Sequence, residues 1–157
     1  MPKIKLELVI NAPKTLVFDL SRSIDLHKIS TKQTNEEAIA GVTYGLIDKD
    51  KSVTWRAKHF GIYQDLTSKI TEFEMPNYFV DEMEKGIFKR FRHEHIFKDF
   101  DDKTLMVDIF DYESPLGILG KIADKLFLEK YIKSLLEIRN ATIKEFAESG
   151  KWREVLN

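Results

Sequence analysis

The chain has 157 residues, 43% hydrophobic and 32% charged, and its 25 basic and 26 acidic residues leave a net charge of -1. This size and composition predict one globular domain spanning residues 1–157, and the balanced charge excludes a strong overall attraction to nucleic acid or anionic lipid. No cysteine is present, which excludes disulfides and cysteine-type zinc sites and favours a reducing cytoplasm as the location.

The N-terminal part of the chain predicts one strand followed by two short helices. Residues 3–10 place hydrophobic side chains between charged ones, the period-two pattern of a half-buried strand. Pro13 suits the first turn of a helix, and Ser23 suits the cap of a second one. The polar run from Ser30 to Glu37 then predicts a loop.

The middle of the chain predicts an antiparallel meander. Apolar runs alternate there with short turns, and no helical segment is long enough for the crossover that parallel strands require. The predicted strands cover residues 43–48, 52–60, 62–73, 77–84, 87–98 and 103–112.

The C-terminal part predicts a helix with a change of direction. From Leu116 to Ala147 apolar residues recur at helical spacing, but they form two stripes on nearly opposite faces. We therefore expect a break or sharp bend near residues 127–130, with a main helix of about 20 residues after it. No stretch approaches the roughly 20 apolar residues of a membrane span. The two expected stripes are Leu116, Leu119, Ile122, Ala123 and Leu126, and then Leu128, Tyr131, Leu135, Ile138, Thr142 and Phe146.

Together these elements predict an α+β fold, in which a curved seven-stranded antiparallel sheet wraps around the C-terminal helix. The helix is the one long element available to cover the apolar face of the sheet. A curved sheet separates from a straight helix over part of its length, so bulky side chains or a ligand must fill the remaining volume. That volume is the expected site.

Four segments of the chain carry a family resemblance: Val53 to Gly61, Leu66 to Phe73, Phe91-Arg92-His93-Glu94-His95, and Asp108 to Tyr112 followed by Ser114-Pro115-Leu116-Gly117. They resemble the START-like, or SRPBCC, superfamily of helix-grip proteins, and specifically its small stand-alone members described as cell-division-inhibitor-like or polyketide-cyclase-like. The resemblance covers nearly the whole chain and implies a hydrophobic cavity between sheet and helix. The superfamily includes lipid carriers, hormone receptors and aromatase/cyclases, so the resemblance implies the fold more strongly than the function.

Alternation within the strands identifies the side chains that face the cavity. In residues 87–98 the odd positions carry aromatic residues and histidines, while the even positions carry charges. The same test selects the odd positions of residues 52–60 and, less decisively, those of 77–84. The even positions of residues 103–112 are selected partly because the family resemblance implies that they face inward. The candidate ligand-binding residues are Trp55, His59, Phe79, Asp81, Phe91, His93, His95, Asp108 and Tyr112.

The polar members of this set allow several interpretations. The histidines and aspartates either orient the head group of an amphipathic ligand or satisfy one another as a buried network that fixes strand register. His93 and His95 could also chelate a metal with His59 or an aspartate, but this spacing alone is weak, and the sequence assigns no metal ligand, cofactor or catalytic residue. The basic residues around Phe91 fall on the outer face, which disfavours a nucleic-acid interface.

We therefore expect a protein that binds an apolar or amphipathic small molecule, with aromatic walls and polar anchors. One alternative is an enzyme of the cyclase or dehydratase type that uses a His/Asp acid-base pair in the same cavity. A second alternative is an interaction module whose cavity is filled by side chains. No motif specifies the ligand or the oligomeric state.

Overall fold

The computed structural model describes residues 2–115 and 117–156, so Leu116 lies outside the described residues. A seven-stranded antiparallel sheet has the strand order β1-β7-β6-β5-β4-β3-β2, and three of the four helices given below, α1, α2 and α4, lie against its concave face. The strands are β1 (Lys3–Ile10), β2 (Glu37–Gly41), β3 (Ser52–His59), β4 (Ile62–Glu74), β5 (Tyr78–Lys85), β6 (Arg90–Phe100) and β7 (Lys103–Glu113). The helices are α1 (Lys14–Ser21), α2 (Ile24–Ser30), α3 (Gly117–Ala123) and α4 (Glu129–Ser149).

Six of the seven strands lie where the sequence predicts them, whereas β2 does not. The expected strand at 43–48 is wrong, because β2 occupies Glu37–Gly41 and pairs with β3. Residues 43–48 form a loop in which Gly45 has φ +75° and Leu46 makes one isolated bridge to Ser23. β2 is an edge strand with mostly exposed side chains, so it carries little of the alternation by which a strand is recognised.

The sheet curves because its longest strand is irregular. β4 spans 13 residues, and its pairing with β5 shifts register between Thr67 and Ser68 and again between Ile70 and Glu72. Such bulges increase the twist and bend of a strand. The bend gives the sheet a concave face against which the helices pack.

The two short helices follow β1 as predicted and cover one end of the sheet. The Ser23 side chain caps α2 by accepting a hydrogen bond from the Leu26 amide at 3.1 Å. Phe18 of α1 is fully buried and makes edge-to-face contacts with Phe73, Phe79 and Phe97. Both helices also contact α4.

The C-terminal helix changes phase through a π-helical segment rather than through a break. Residues 124–128 form π-helix between α3 and α4, and the flanking Ala123 and Glu129 keep right-handed helical torsions. Wider turns of this kind rotate the following residues around the helix axis without interrupting it. The main helix, α4, has 21 residues and ends at Ser149, and the next residue, Gly150, has a φ of +82° that suits a C-terminal cap.

The buried face of α4 differs from the predicted stripe. Phe146 of that stripe is buried as predicted, but Ile138 is 43% exposed, whereas Ile132, Arg139, Asn140 and Ile143 are buried. The prediction followed mainly the apolar residues, and two polar residues, Arg139 and Asn140, occupy the inner face. The stripe on α3 and the π-helical segment is also exposed at Leu119, Ile122 and Leu126.

The interior consists of two apolar clusters. The larger lies between the sheet, α1, α2 and the C-terminal half of α4, and it includes Phe97, Met106 and Ile143. The smaller lies toward the other end of the sheet and contains Ile4, Phe91, Phe110, Tyr112 and Ile132. Among the described residues, no helix has the length and hydropathy needed to cross a membrane.

Candidate functional site

Strand register brings four titratable side chains together on the concave face. Asp81 of β5 pairs with His93 of β6, and His95 of β6 pairs with Asp108 of β7. Side chains of paired and diagonal positions on one face of a sheet are close enough to interact. We call Asp81, His93, His95 and Asp108, together with Arg139 and Asn140 of α4, the polar cluster.

The polar cluster separates the two apolar clusters along two neighbouring strands, β6 and β7. On β6 the histidines lie between Phe91 of the smaller cluster and Phe97 of the larger. Asp108 lies similarly between Phe110 and Met106 on β7. The polar cluster is therefore buried at the centre of the sheet, where each polar group requires a partner.

Asp108 is the innermost member of the polar cluster and accepts several hydrogen bonds. Its side chain is only 1% exposed. His93 Nε2 donates to Asp108 Oδ1 at 2.9 Å, and Asn140 Nδ2 donates to Oδ2 at 2.8 Å. His95 Nδ1 lies 3.2 Å and Arg139 Nη1 3.5 Å from Oδ1. One carboxylate thus fixes both imidazole rings and joins the sheet to α4.

Asp81 forms the opposite side of the polar cluster. His95 Nε2 donates to Asp81 Oδ1 at 2.6 Å, and His93 Nδ1 lies 3.9 Å from the same oxygen, too far for a hydrogen bond. The two imidazole rings are 3.7 Å apart between centroids, and His95 also stacks on Phe79 at 4.2 Å. The Asp81 side chain is 18% exposed, unlike Asp108.

The electrostatics of the polar cluster favour ionised carboxylates and a neutral His93. Burial opposes the ionisation of Asp108, but the hydrogen bond from His93, the adjacent His95 ring and the charge of Arg139 outweigh it and hold the pKa of Asp108 well below its ordinary value. The pKa of Asp81 is lowered in the same way, with the hydrogen bond from His95 overcoming burial. Burial, followed by the neighbouring His95, lowers the pKa of His93.

A cavity of about 300 Å³ lies between the sheet, α2 and the first half of α4. Its wall is largely apolar, and Asp81, His93, His95 and Arg139 form a polar floor. Such cavities suit ligands that are mostly apolar with a few fixed polar groups. Apolar wall residues include Trp55, Ala57, Phe79, Phe91, Ile132 and Leu135.

Seven of the nine residues predicted for ligand binding lie on the cavity wall, and two do not. Asp108 lies behind the histidines. Tyr112 is fully buried against the aromatic rings of Phe88 and Phe110. Both residues point inward as predicted, but inward orientation does not distinguish a cavity wall from the packed core beside it. The seven residues on the wall are Trp55, His59, Phe79, Asp81, Phe91, His93 and His95.

His59 lies apart from the polar cluster, near the N-terminal end of α4. Its Nδ1 is 2.8 Å from the Tyr131 hydroxyl, and burial lowers its pKa. The Tyr131 ring also contacts exposed Phe60 at 4.6 Å between centroids. These residues form a second polar point on the wall.

Sequence reasoning missed the contribution of the helices to the site. His27 of α2 contacts Trp55 at 4.3 Å between ring centroids and pairs with Glu36 at 2.7 Å. Arg139 donates to the Ser21 carbonyl at 3.1 Å and so connects the polar cluster to α1. The adjacent polar pair Arg139 and Asn140, one turn before buried Ile143, is a signal that could have indicated a polar inner face on α4.

Three side chains of the polar cluster could hold a metal ion. Ligand atoms of Asp81, His93 and His95 all lie within 4.8 Å of one another. Two imidazoles and a carboxylate are a common donor set for divalent transition metals. Among the described residues this is the one such group of three or more.

Comparisons with known proteins identify the fold. No family model matches the chain, and no curated protein matches its sequence. Among solved structures, a protein of Thermus thermophilus is similar over 95% of this chain and 99% of its own, with a TM-score of 0.76 and 20% identity. Major latex-like protein 151 from Panax ginseng covers 94% of this chain and 97% of its own, with a TM-score of 0.69 and 14% identity.

A START superfamily protein from Mycobacterium smegmatis is also similar, over 93% of this chain and 97% of its own, with a TM-score of 0.70 and 11% identity. These likenesses, together with the seven-stranded sheet and its long C-terminal helix, show that the chain has the START-like helix-grip fold. The predicted fold class is therefore confirmed.

Proposed function

We propose that the chain binds an apolar or amphipathic small molecule in the cavity between the sheet and α4. The observation that carries this proposal is a cavity of about 300 Å³ with a largely apolar wall and a polar floor at one end. The apolar body of the ligand lies against Trp55, Phe79 and Phe91. Its polar end lies toward His95 and Asp81.

Physical considerations support an organic ligand in this volume. Protein interiors pack to a density that leaves few voids larger than a water molecule, so a cavity of this size is a departure that needs a reason. The polar groups on its floor are already oriented by Asp108, which reduces the ordering cost when a head group binds. Burial of the apolar body contributes roughly 25 cal/mol for each Å² removed from water.

A titration with 8-anilinonaphthalene-1-sulfonate, an apolar fluorophore with an acidic group, tests the proposal. Ala57 is buried on the cavity wall, so Ala57→Phe places a ring inside the cavity. We expect this variant to bind the fluorophore at least about tenfold more weakly, which corresponds to roughly 1.4 kcal/mol. Lys58→Phe is the matched control, since it adds the same side chain at the next, exposed position of β3.

Two results would count against the proposal. One is a wild-type protein that gives no saturable fluorescence increase. The other is equal affinity in the two variants, which would place the fluorophore outside the cavity. Near-ultraviolet circular dichroism of each variant excludes loosened packing, which binds this fluorophore non-specifically. Native mass spectrometry of the purified protein addresses the filled-cavity alternative, because a retained organic mass is incompatible with it.

A further inference from the structure

We infer that Asp81, His93 and His95 form a binding site for a divalent transition-metal ion at the floor of the cavity. The inference goes beyond the proposed function and does not depend on an organic ligand. It rests on the position of the three side chains, on the direction of their ligand atoms and on the groups behind them.

The three ligand atoms have nearly the separations that a metal requires. Zinc ligands lie about 2.1 Å from the ion, so neighbouring ligand atoms are roughly 3 to 3.5 Å apart. His95 Nε2 is 2.6 Å and His93 Nδ1 is 3.9 Å from Asp81 Oδ1, values on either side of that range, and ligand atoms of all three residues lie within 4.8 Å of one another. Small side-chain rotations therefore bring the three atoms around one ion.

The groups behind the histidines match those of metal sites. A histidine that binds a metal usually donates its other ring N–H to a carboxylate, which fixes the orientation of the ring. His93 Nε2 donates to Asp108 at 2.9 Å, which leaves a lone pair on Nδ1 toward Asp81. His95 Nδ1 lies 3.2 Å from the same Asp108 oxygen. One buried carboxylate thus supports both imidazoles.

Binding requires an internal rearrangement at His95, whose Nδ1 accepts a hydrogen bond from Arg139 Nη2 at 3.4 Å. The proton on His95 Nε2 moves to Nδ1, where Asp108 Oδ1, 3.2 Å away, accepts it in a hydrogen bond and the contact with Arg139 is lost. Nε2 then offers its lone pair to the ion. With neutral imidazoles, Asp81, Asp108 and Arg139 sum to a charge of -1, so a divalent cation changes the charge of the polar cluster to +1. Buried charge without compensation is costly, and the change favours an anionic group as a further ligand.

The coordination sphere is open toward the cavity. All three ligand residues lie on the cavity wall, whereas Asp108 does not. A three-residue set of nitrogen and oxygen ligands with free positions is typical of sites that also bind water or an exogenous ligand. The ion would therefore contact the polar end of whatever occupies the cavity.

Cobalt(II) and zinc(II) titrations of chelator-treated protein, without any amphiphile, test the site. We expect one ion per chain. Asp81→Asn and His93→Ala each remove a direct ligand and should lower the affinity for the metal ion at least about 100-fold. Loss of a group that only supports a ligand costs up to about 100-fold in known sites. The matched control is Asp65→Asn, a half-exposed aspartate of β4 paired with Arg56, which should retain wild-type affinity.

X-ray absorption spectroscopy of the cobalt-loaded wild type provides an answer that does not require any variant to fold. A spectrum with two imidazole ligands supports the site. A spectrum without imidazole, a wild-type protein that binds no ion, or Asp81→Asn binding as tightly as Asp65→Asn would overturn it. Fluorophore binding by the same metal-free protein reports separately on the proposed function, so failure of one proposal is distinguishable from failure of the other.

Discussion

Replacement of Asp108 by alanine should strongly destabilise the fold. The carboxylate accepts hydrogen bonds from His93 at 2.9 Å and Asn140 at 2.8 Å and lies 3.5 Å from Arg139. Each buried donor left without an acceptor costs about 1–3 kcal/mol, and breaking a buried charged pair costs about 3–5 kcal/mol in all. We expect a loss of about 3–5 kcal/mol for Asp108→Ala, a large part of the roughly 5–15 kcal/mol typical of a domain.

Urea unfolding followed by circular dichroism measures this loss. Asp65→Ala is the matched control, because Asp65 also binds an arginine, Arg56, at 2.8 Å, but its side chain is 48% exposed. Exposed pairs contribute less than about 1 kcal/mol. A loss for Asp108→Ala as small as that for Asp65→Ala would refute the view that this carboxylate organises the polar cluster.

Three further predictions concern the pH dependence, the core and the cavity wall. The folded-state pKa of Asp108 is lowered, so the ionised carboxylate stabilises the fold fully above the unfolded carboxyl pKa of about 3.9, and this contribution is lost as pH falls through the folded-state pKa. The difference in unfolding free energy between wild type and Asp108→Ala should therefore shrink below about pH 4. A difference that stays constant would contradict this. Ile143→Ala should lower the free energy of unfolding in urea by about 2–5 kcal/mol, because Ile143 is 1% exposed. Ile138→Ala, on the exposed side of α4, should change the free energy of unfolding by no more than about 0.5 kcal/mol. Equal losses would be inconsistent with the described helix face. Decanoate should change the tryptophan fluorescence of the Trp152→Phe variant, because this variant retains Trp55 on the cavity wall. It should leave the tryptophan fluorescence of the Trp55→Phe variant unchanged. The reverse pattern would place the ligand elsewhere.

The sheet was predictable wherever alternation is strong. On β6 the buried residues Phe91, His93, His95 and Phe97 follow the odd positions, as expected for one face of a strand against a core. β2 was missed because an exposed edge strand has no buried face to impose a pattern. The alternation of apolar and polar residues therefore indicates which side chains are buried, and it identifies a strand only where one face of that strand is buried.

The candidate site was predictable in its strand residues and not in its helix residues. Register alone places Asp81, His93 and His95 together once the meander is known. Arg139 and Asn140 were missed because apolar periodicity places polar residues of a helix on the outside. Their burial depends on a partner from β7, and such a pairing between distant elements is not visible in a local pattern.

Side chains of the cavity wall face the cavity volume, whereas side chains of the core face other side chains. Tyr112 and Phe91 both face inward on neighbouring strands, yet only Phe91 lies on the wall. The difference depends on the path of α4 and on the bends in β4, which tertiary packing determines. The inward-facing residues identified from the sequence therefore include both residues of the cavity wall and residues of the packed core beside it.

A crystal structure of the protein with 8-anilinonaphthalene-1-sulfonate tests the central claim most directly. We expect the fluorophore between sheet and α4, with its rings against Trp55 and Phe79. A fluorophore bound only on the outer surface, or a cavity closed by repacked side chains, would contradict the account.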